Sequence, residues 1–421
     1  MSKRCAAMLL AMLLTVSASG CGTARIEHTL PGETEPAATL ATGTPAAPLP
    51  EETTQPPTET LPLIQDATVS FLAVGDNLVQ TSVYKTAASH AEEGEDYDFS
   101  YCYQHVADRI AAADVAFINQ ETVIAEGYEV SGSNFNFNSP PELGYEVLEL
   151  GFDVICHANN HALDKGTGGL SATLDFWDAR MAESETPIQV IGAYRDAEDM
   201  SNYRIAEVNG MTIGYLAYTE HINGYRVPED SPIKIPLTSD TALIESQIKE
   251  LSGMVDAVVV SAHWGNEDTH TVRDDVKTLA ADMIEWGADV ILGTHSHTLE
   301  TMEYITRSDG TKGFVFYSLG NFISAQTDNF NMVGGMAEFN LHFDADTMDV
   351  TVEDVRLTPV ITHYDNGSLR NIRVYPYDKY TDELVAGHGV PYSPAGTAKS
   401  WNRDVIEKII YNNVPEEFRN F

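Results

Sequence analysis

Cysteine, positive charge and long apolar runs are all scarce in this chain. Four cysteines in 421 residues are too few for a fold held together by disulfides. Lys and Arg number 24 against 63 Asp and Glu, a formal net charge of −39. Such a surface repels phosphate backbones, which excludes nucleic acid as a partner. It also offers no polybasic hold on anionic lipid. The apolar run Ala6–Val16 is too short to span a bilayer, and nothing later is long enough. What remains is 43% hydrophobic and 9% aromatic, enough to bury a core and too much for a wholly disordered or fibrous chain. The length suits one large or two modest domains.

Residues 1–20 read as a secretory signal peptide. Lys3 and Arg4 precede the apolar run, and the small residues Ala18-Ser19-Gly20 follow it, directly before Cys21. A small triplet before a cysteine resembles the bacterial lipobox, in which the thiol receives a diacylglycerol and becomes the mature N-terminus. Cys21 is therefore the expected lipidation site, and two or three acyl chains make a stable anchor. Residues 22–65 carry eight prolines and ten threonines with few large apolar side chains. The stretch 21–65 is thus expected as an extended tether. The protein is placed outside the cytoplasm, lipid-anchored to the cell membrane.

From Asp66 the pattern alternates. Near-continuous apolar strands are expected at Thr68–Val74, Asp114–Ile118, Phe152–His157, Pro187–Ile191, Thr212–Tyr218, Ala257–Ala262, Ala288–Leu292 and Phe314–Leu319. Helical periods lie at Tyr101–Ala113, Pro141–Leu150, Thr167–Met181, Asp240–Leu251 and Asp274–Trp286. Gly151, Gly253 and Gly287 are expected as left-handed C-caps. The alternation implies an α/β domain with mostly parallel strands. An antiparallel pair, Gly335–Phe343 with Met348–Thr358, and a helix at Asn402–Tyr411 follow. The main domain is expected over 66–365, with 366–421 as an extension packed on it.

Strand after strand runs into metal-capable residues. The first ends in Gly75-Asp76-Asn77, the second in Asn119-Gln120-Glu121, and the third in Asn159-Asn160-His161 with Asp164 beyond. Two later strands end in His263-Trp264-Gly265, followed by Glu267, and in Gly293-Thr294-His295-Ser296-His297. Open α/β sheets form their sites outside the carboxyl ends of strands. Five such ends bearing Asp, Asn, Glu and His therefore converge on one site. The pair His295 and His297 reaches a single point if its loop turns tightly, and neutral imidazole is a common transition-metal ligand. Cys102 and Cys156 read as small core residues, and the remaining histidines as ordinary ones.

These segments resemble the CapA family of poly-gamma-glutamate capsule synthesis proteins, which share a fold with calcineurin-like metallophosphoesterases. The residues that carry it are Val74-Gly75-Asp76-Asn77-Leu78, Ile118-Asn119-Gln120-Glu121-Thr122, Ala158-Asn159-Asn160-His161-Ala162-Leu163-Asp164, Tyr218-Thr219 with Asn223-Gly224, His263-Trp264-Gly265 with Glu267, Gly293-Thr294-His295-Ser296-His297 and Tyr317-Ser318-Leu319-Gly320-Asn321-Phe322. The resemblance implies a four-layer α/β/β/α sandwich. It implies metal ligands at Asp76, Asn160, His263, His295 and His297, with Glu121 in the place of the second-motif carboxylate, which Asn119 contests. His161 is implied as general acid, with Asp164 and Glu267 as further catalytic candidates. Asn119, Thr219, Asn223, Ser318 and Asn321 are implied to line a substrate pocket. Phosphoesterases begin with Asp-x-His, whereas this chain has Leu78 at the histidine position. That leaves open one metal, a different metal, or a site that binds without hydrolysing. Mn, Zn and Fe all suit mixed His and carboxylate ligands. The implied partners are an anionic envelope polymer or its precursor and membrane synthase subunits.

Overall fold

The computed structural model describes residues 65–421 apart from 185 and 366. The signal peptide, Cys21 and all but the last residue of the tether lie outside the described residues.

The strands in chain order are β1 (Ala67–Asn77), β2 (Val115–Asn119), β3 (Ser131–Ser133), β4 (Asn136–Asn138), β5 (Val154–Cys156), β6 (Gln189–Ile191), β7 (Arg204–Val208), β8 (Met211–Thr219), β9 (Ala257–His263), β10 (Val290–Thr294), β11 (Met302–Thr306), β12 (Lys312–Phe316), β13 (Asn321–Ile323), β14 (Val333–Phe343), β15 (Val350–Asp365) and β16 (Arg370–Pro376). The first sheet runs β16-β15-β14-β1-β2-β5-β6, with β13 beside β1; the second runs β11-β12-β10-β9-β8-β7. Each has a parallel centre, β1-β2-β5-β6 in one and β8-β9-β10-β12 in the other, with antiparallel strands at its flanks.

The two sheets share one core and helices cover their outer faces. Along β8 and β9 the alternation of side chains sorts them between layers. Tyr215, Ala217 and Val259 join the core shared with Phe71, Val115 and Phe117 of the first sheet. Leu216, Tyr218, Val258 and Val260 point the other way, onto Ile244, Ile248 and Leu251 of helix Thr241–Ser252 and onto Ala280, Met283 and Ile284 of helix Asp274–Trp286. Helices Thr81–His90, Pro141–Glu149 and Gly166–Glu183 contribute Val83, Ala87, Leu143, Val147, Leu170 and Trp177 to the core. This is the expected α/β/β/α order, and burial on both faces is why the central strands read as continuous apolar runs.

Three expectations need correction. The helix expected at Tyr101–Ala113 is two short ones, Ser100–Tyr103 and Ala107–Ile110. The break lets Tyr103 reach Asn77 with its hydroxyl, at 2.7 Å, while Val106 still enters the core. Gly253 has φ −83°, so its helix ends without a left-handed cap, unlike Gly151 and Gly287. The first sheet does not stop at 365: β16 pairs with β15, and Asp66–Phe421 is one compact unit. Cys102 and Cys156 are both buried and free, as expected of small core residues.

Candidate metal centre

Strand register brings the chemistry to one level. In the first sheet Asn321, Asp76, Asn119 and Cys156 stand side by side on β13, β1, β2 and β5. In the second, Thr219, His263 and Thr294 do the same on β8, β9 and β10. Both rows sit at the carboxyl ends of parallel strands, and the loops that follow them close over one another.

The loop after β10 takes an unusual path. His295 has φ 96° and His297 has φ 56°, a region that L side chains occupy at a cost and that clusters at functional sites. Those two turns bring both rings into the cluster. His297 Nδ1 lies 3.0 Å from Asp76 Oδ2 and 3.1 Å from Asn321 Oδ1. Two acceptors at Nδ1 place a proton there, so Nε2 is the nitrogen left to face an ion. Asp76 is held in turn by Asn119 Nδ2, which donates to Oδ1 at 2.8 Å, and by the backbone N–H of His295.

Glu121 is the decisive residue. It is fully buried and neither carboxylate oxygen has a hydrogen-bond partner. Its Oε1 lies 4.0 Å from His161 Nε2, 3.9 Å from His263 Nε2 and 3.8 Å from His297 Nε2. Those separations are too long for hydrogen bonds. They fit two ligands of one ion, whose limit is twice a metal–ligand bond, about 4.4 Å. Asp76, Glu121 and His297 offer ligand atoms all within 4.8 Å of one another. Among the described residues neither carboxylate has a Lys or Arg partner, so the pair suits a cation held between them. The site is thus a candidate for a single divalent ion. Asn119 turns its Nδ2 to Asp76, while its Oδ1 is buried and unpartnered like the Glu121 oxygens, so Asn119 stays beside Glu121 as an oxygen donor.

Electrostatics agree. Burial, then the Asp76 charge, pushes the Glu121 carboxyl well above the usual range, against the opposing effect of His297. Burial alone would lower His297, but Glu121 and Asp76 raise it to about 10. Without an ion, the cluster must keep a proton that an ion would displace. His263 and His295 go the other way, held well below the ordinary value by burial and by neighbouring histidines.

A second group of donors adjoins the first. His263 Nε2 is 3.0 Å from Asn160 Oδ1 and 3.1 Å from His295 Nδ1, while its Nδ1 meets Thr294 Oγ1 at 2.9 Å. His161 stands beside them, its Nδ1 2.8 Å from Asp164 Oδ2, which also accepts from the Phe137 backbone N–H at 2.7 Å. Asn223 reaches in from the loop after β8. Its Oδ1 accepts from Asn160 Nδ2 at 3.2 Å, and its own Nδ2 lies 3.3 Å and 3.5 Å from the two His161 ring nitrogens. Glu267 is exposed, and its charge reaches Glu121 and His297.

Three residues expected in a substrate pocket turn elsewhere. Thr219 Oγ1 donates to the His221 carbonyl, and Ser318 Oγ accepts from the Gly320 N–H; both tie down their own turns. Asn321 orients His297 and donates to Gln326 Oε1 and the Asn331 carbonyl. His221, read as an ordinary histidine, sits edge-on to His295 with ring centroids 4.9 Å apart. No spacing signal marks it. Arg273 is the cation that reaches His295, and its guanidinium is taken by Glu220, Asp275 and the Gly265 carbonyl. His157, by contrast, is structural: Trp177 Nε1 donates to its Nε2 at 2.7 Å, and burial drops its pKa to about 3.

Residues 70–326 match the family described as bacterial capsule synthesis protein, PGA_cap. The chain belongs to the PGA_cap family. Every member of the cluster lies inside the matched span. The chain is 30% identical over 267 residues to the PGA biosynthesis protein CapA of Bacillus subtilis, covering 62% of this chain and 64% of that protein. It is 29% identical over 237 residues to the capsule biosynthesis protein CapA of Bacillus anthracis, covering 55% of each. It thus spans between about half and two thirds of the curated relatives it matches. A solved phosphatase from Mycoplasma pneumoniae aligns at TM-score 0.40 and 14% identity, over 70% of this chain and 95% of that one.

Proposed function

We propose that this PGA_cap protein is a metal-dependent hydrolase acting outside the cytoplasmic membrane on an anionic envelope polymer or its precursor, in capsule-type polymer synthesis or export. The observation that carries the reading is Glu121, a buried carboxylate with both oxygens unpartnered and three imidazole nitrogens around it. Asp76, Glu121 and His297 would hold the ion, with Asn160, His263 and His295 beside them. A divalent ion there supplies a water acidic enough to ionise near neutral pH and polarises the bond to be cleaved.

The chain's own residues supply the rest. Asp164 fixes the His161 ring through Nδ1 and leaves Nε2 turned toward the cluster, as a general acid requires. Asn119 and Asn321 hold Asp76 and His297 in place. Lipidation at Cys21 would keep the domain at the membrane, with 22–65 as its stalk and synthase subunits as neighbours. The relatives' names support the polymer. Leu78, where phosphoesterases carry a histidine, favours the second reading, a binding and assembly role in a membrane synthase complex.

Elemental analysis of purified protein tests the first claim. We expect close to one transition-metal ion per chain in the wild type and a large loss in Glu121→Gln. The same variant should melt higher than wild type when both are metal-free, because the cost of burying an ionisable carboxyl is gone, and should lose the added stability that metal gives wild type. A panel of phosphate-ester and gamma-glutamyl amide substrates separates the readings. Cleavage abolished by chelation supports the hydrolase, and metal binding without cleavage supports the assembly role.

A further inference from the structure

Among the described residues, three turns put two successive residues in the left-handed region. Asn209-Gly210, with φ 50° and 84°, joins β7 to β8. Asn223-Gly224, with φ 49° and 75°, forms the turn closed by the Tyr225 N–H on the Ile222 carbonyl. Asn134-Phe135, with φ 57° and 52°, joins β3 to β4. Glycine is the favoured second residue of such turns because it has no Cβ to clash. The chain uses it twice and departs from it once, with a bulky aromatic.

Phe135 gains nothing from the core in return. It is 76% exposed, more than any other large hydrophobic residue described. Both its backbone and its solvation are therefore unfavourable, and local stability does not explain its presence.

Its surroundings do. The β3–β4 hairpin is fastened to the His161 segment at several points. Asn136 Nδ2 donates to the Asp164 carbonyl at 2.5 Å, and the Phe137 N–H to Asp164 Oδ2. Lys165 Nζ donates to Ser131 Oγ at 2.7 Å and to Asn136 Oδ1. The Phe137 ring lies 4.5 Å from the His161 ring, centroid to centroid. Tyr128, 42% exposed, is bound to the same hairpin through its carbonyl, which accepts from Asn138. A strained aromatic is thus presented on a rigid support one residue from the groups that orient the candidate acid.

We propose that Phe135 is a substrate-contacting, specificity-determining residue, which packs against an uncharged flat or methylene-rich segment of the substrate beside the bond to be cleaved. This rests on the hydrolase reading and adds to it. The cleaved group faces the metal centre, while recognition at the hairpin is apolar, which suits a chain whose surface charge repels an anionic one.

The experiment uses gamma-glutamyl-p-nitroanilide and p-nitrophenyl phosphate, whose rings supply the flat uncharged surface, with the manganese-loaded folded domain. Phe135→Gly should melt at or above wild type and hold the same metal. Its KM should rise roughly tenfold with kcat within twofold, and Phe135→Trp should keep the wild-type KM. In Phe135→Trp, the fluorescence of the introduced indole should be quenched on adding either probe beyond the change seen in wild type, a binding signal that needs no turnover. Wild-type KM in Phe135→Gly, a melting point several degrees lower, or no extra quenching overturns the proposal. If neither probe is cleaved by wild type, the hydrolase reading falls, while the quenching still decides the role of Phe135.

Discussion

Glu121 and Glu300 are both deeply buried carboxylates, the first with both oxygens unpartnered and the second with its Oε1, and they differ in what surrounds them. Glu121 faces Asp76 and three imidazoles at the strand ends. Glu300 lies away from that cluster, its backbone N–H bonded to the Ser318 carbonyl. Burial raises its pKa to about 7, and Arg273 and Lys277 oppose the rise. The unfolded chain ionises this group near 4.5 and the folded chain near 7. Between those values the folded state holds a proton that the unfolded state has released, so stability falls as pH rises across the window. We expect Glu300→Gln to gain up to about 3 kcal/mol on wild type, with the gain growing from pH 5 to pH 8 in urea titrations. An equal gain at both pH values would show that the folded and unfolded chains bind the same number of protons there, so that the carboxyl is ionised in both and burial does not raise it. The individual ligands were legible in the chain because each follows an apolar strand. Glu121 was legible only as a candidate beside Asn119, since which oxygens are left without a partner depends on distances between strands.

The ends of β10 and β12 govern how the imidazoles are presented. A Cβ on Gly293 would lie 1.9 Å from the Tyr317 carbonyl oxygen, so the two backbones approach as only glycine permits. Gly293→Ala should cost roughly 1–3 kcal/mol of stability. It should also weaken metal binding, because the displaced strand end carries both His295 and His297. Isothermal titration with manganese on the folded variant checks this, and unchanged affinity would count against β10 as the mount. Among elements, the central strands were legible from their apolar runs. Helix Thr81–His90 was not, because its sequence mixes Ser, Thr, Lys and His among small residues. Nor were β3, β4 and β13, three residues each, since a period of two needs more positions to show. The hairpin that carries Phe135 went unread for that reason.

Across the whole molecule, a net charge of −39 sits around a centre built to bind a cation. Charge of one sign keeps the domain soluble and repels a polyanion unless the approach is locally neutral or positive. In the proposed reading, attachment to the membrane falls to the N-terminal segment. Cys21→Ala should move the protein from the membrane fraction to the medium, followed by fractionation and immunoblotting; retention would mean that the signal remains as an uncleaved anchor.

The amino-acid sequence by itself determined the class of fold, the strands that build it and the residue types at their ends, because burial on two faces leaves a one-dimensional pattern of apolar runs closed by polar clusters. Tertiary structure alone decided which of those clusters meet. It set His295 and His297 in left-handed turns, left the Glu121 oxygens bare, and turned Thr219 and Ser318 back on their own loops. Those outcomes depend on distances between strands of different sheets, and no local pattern of residues encodes a distance across a sandwich.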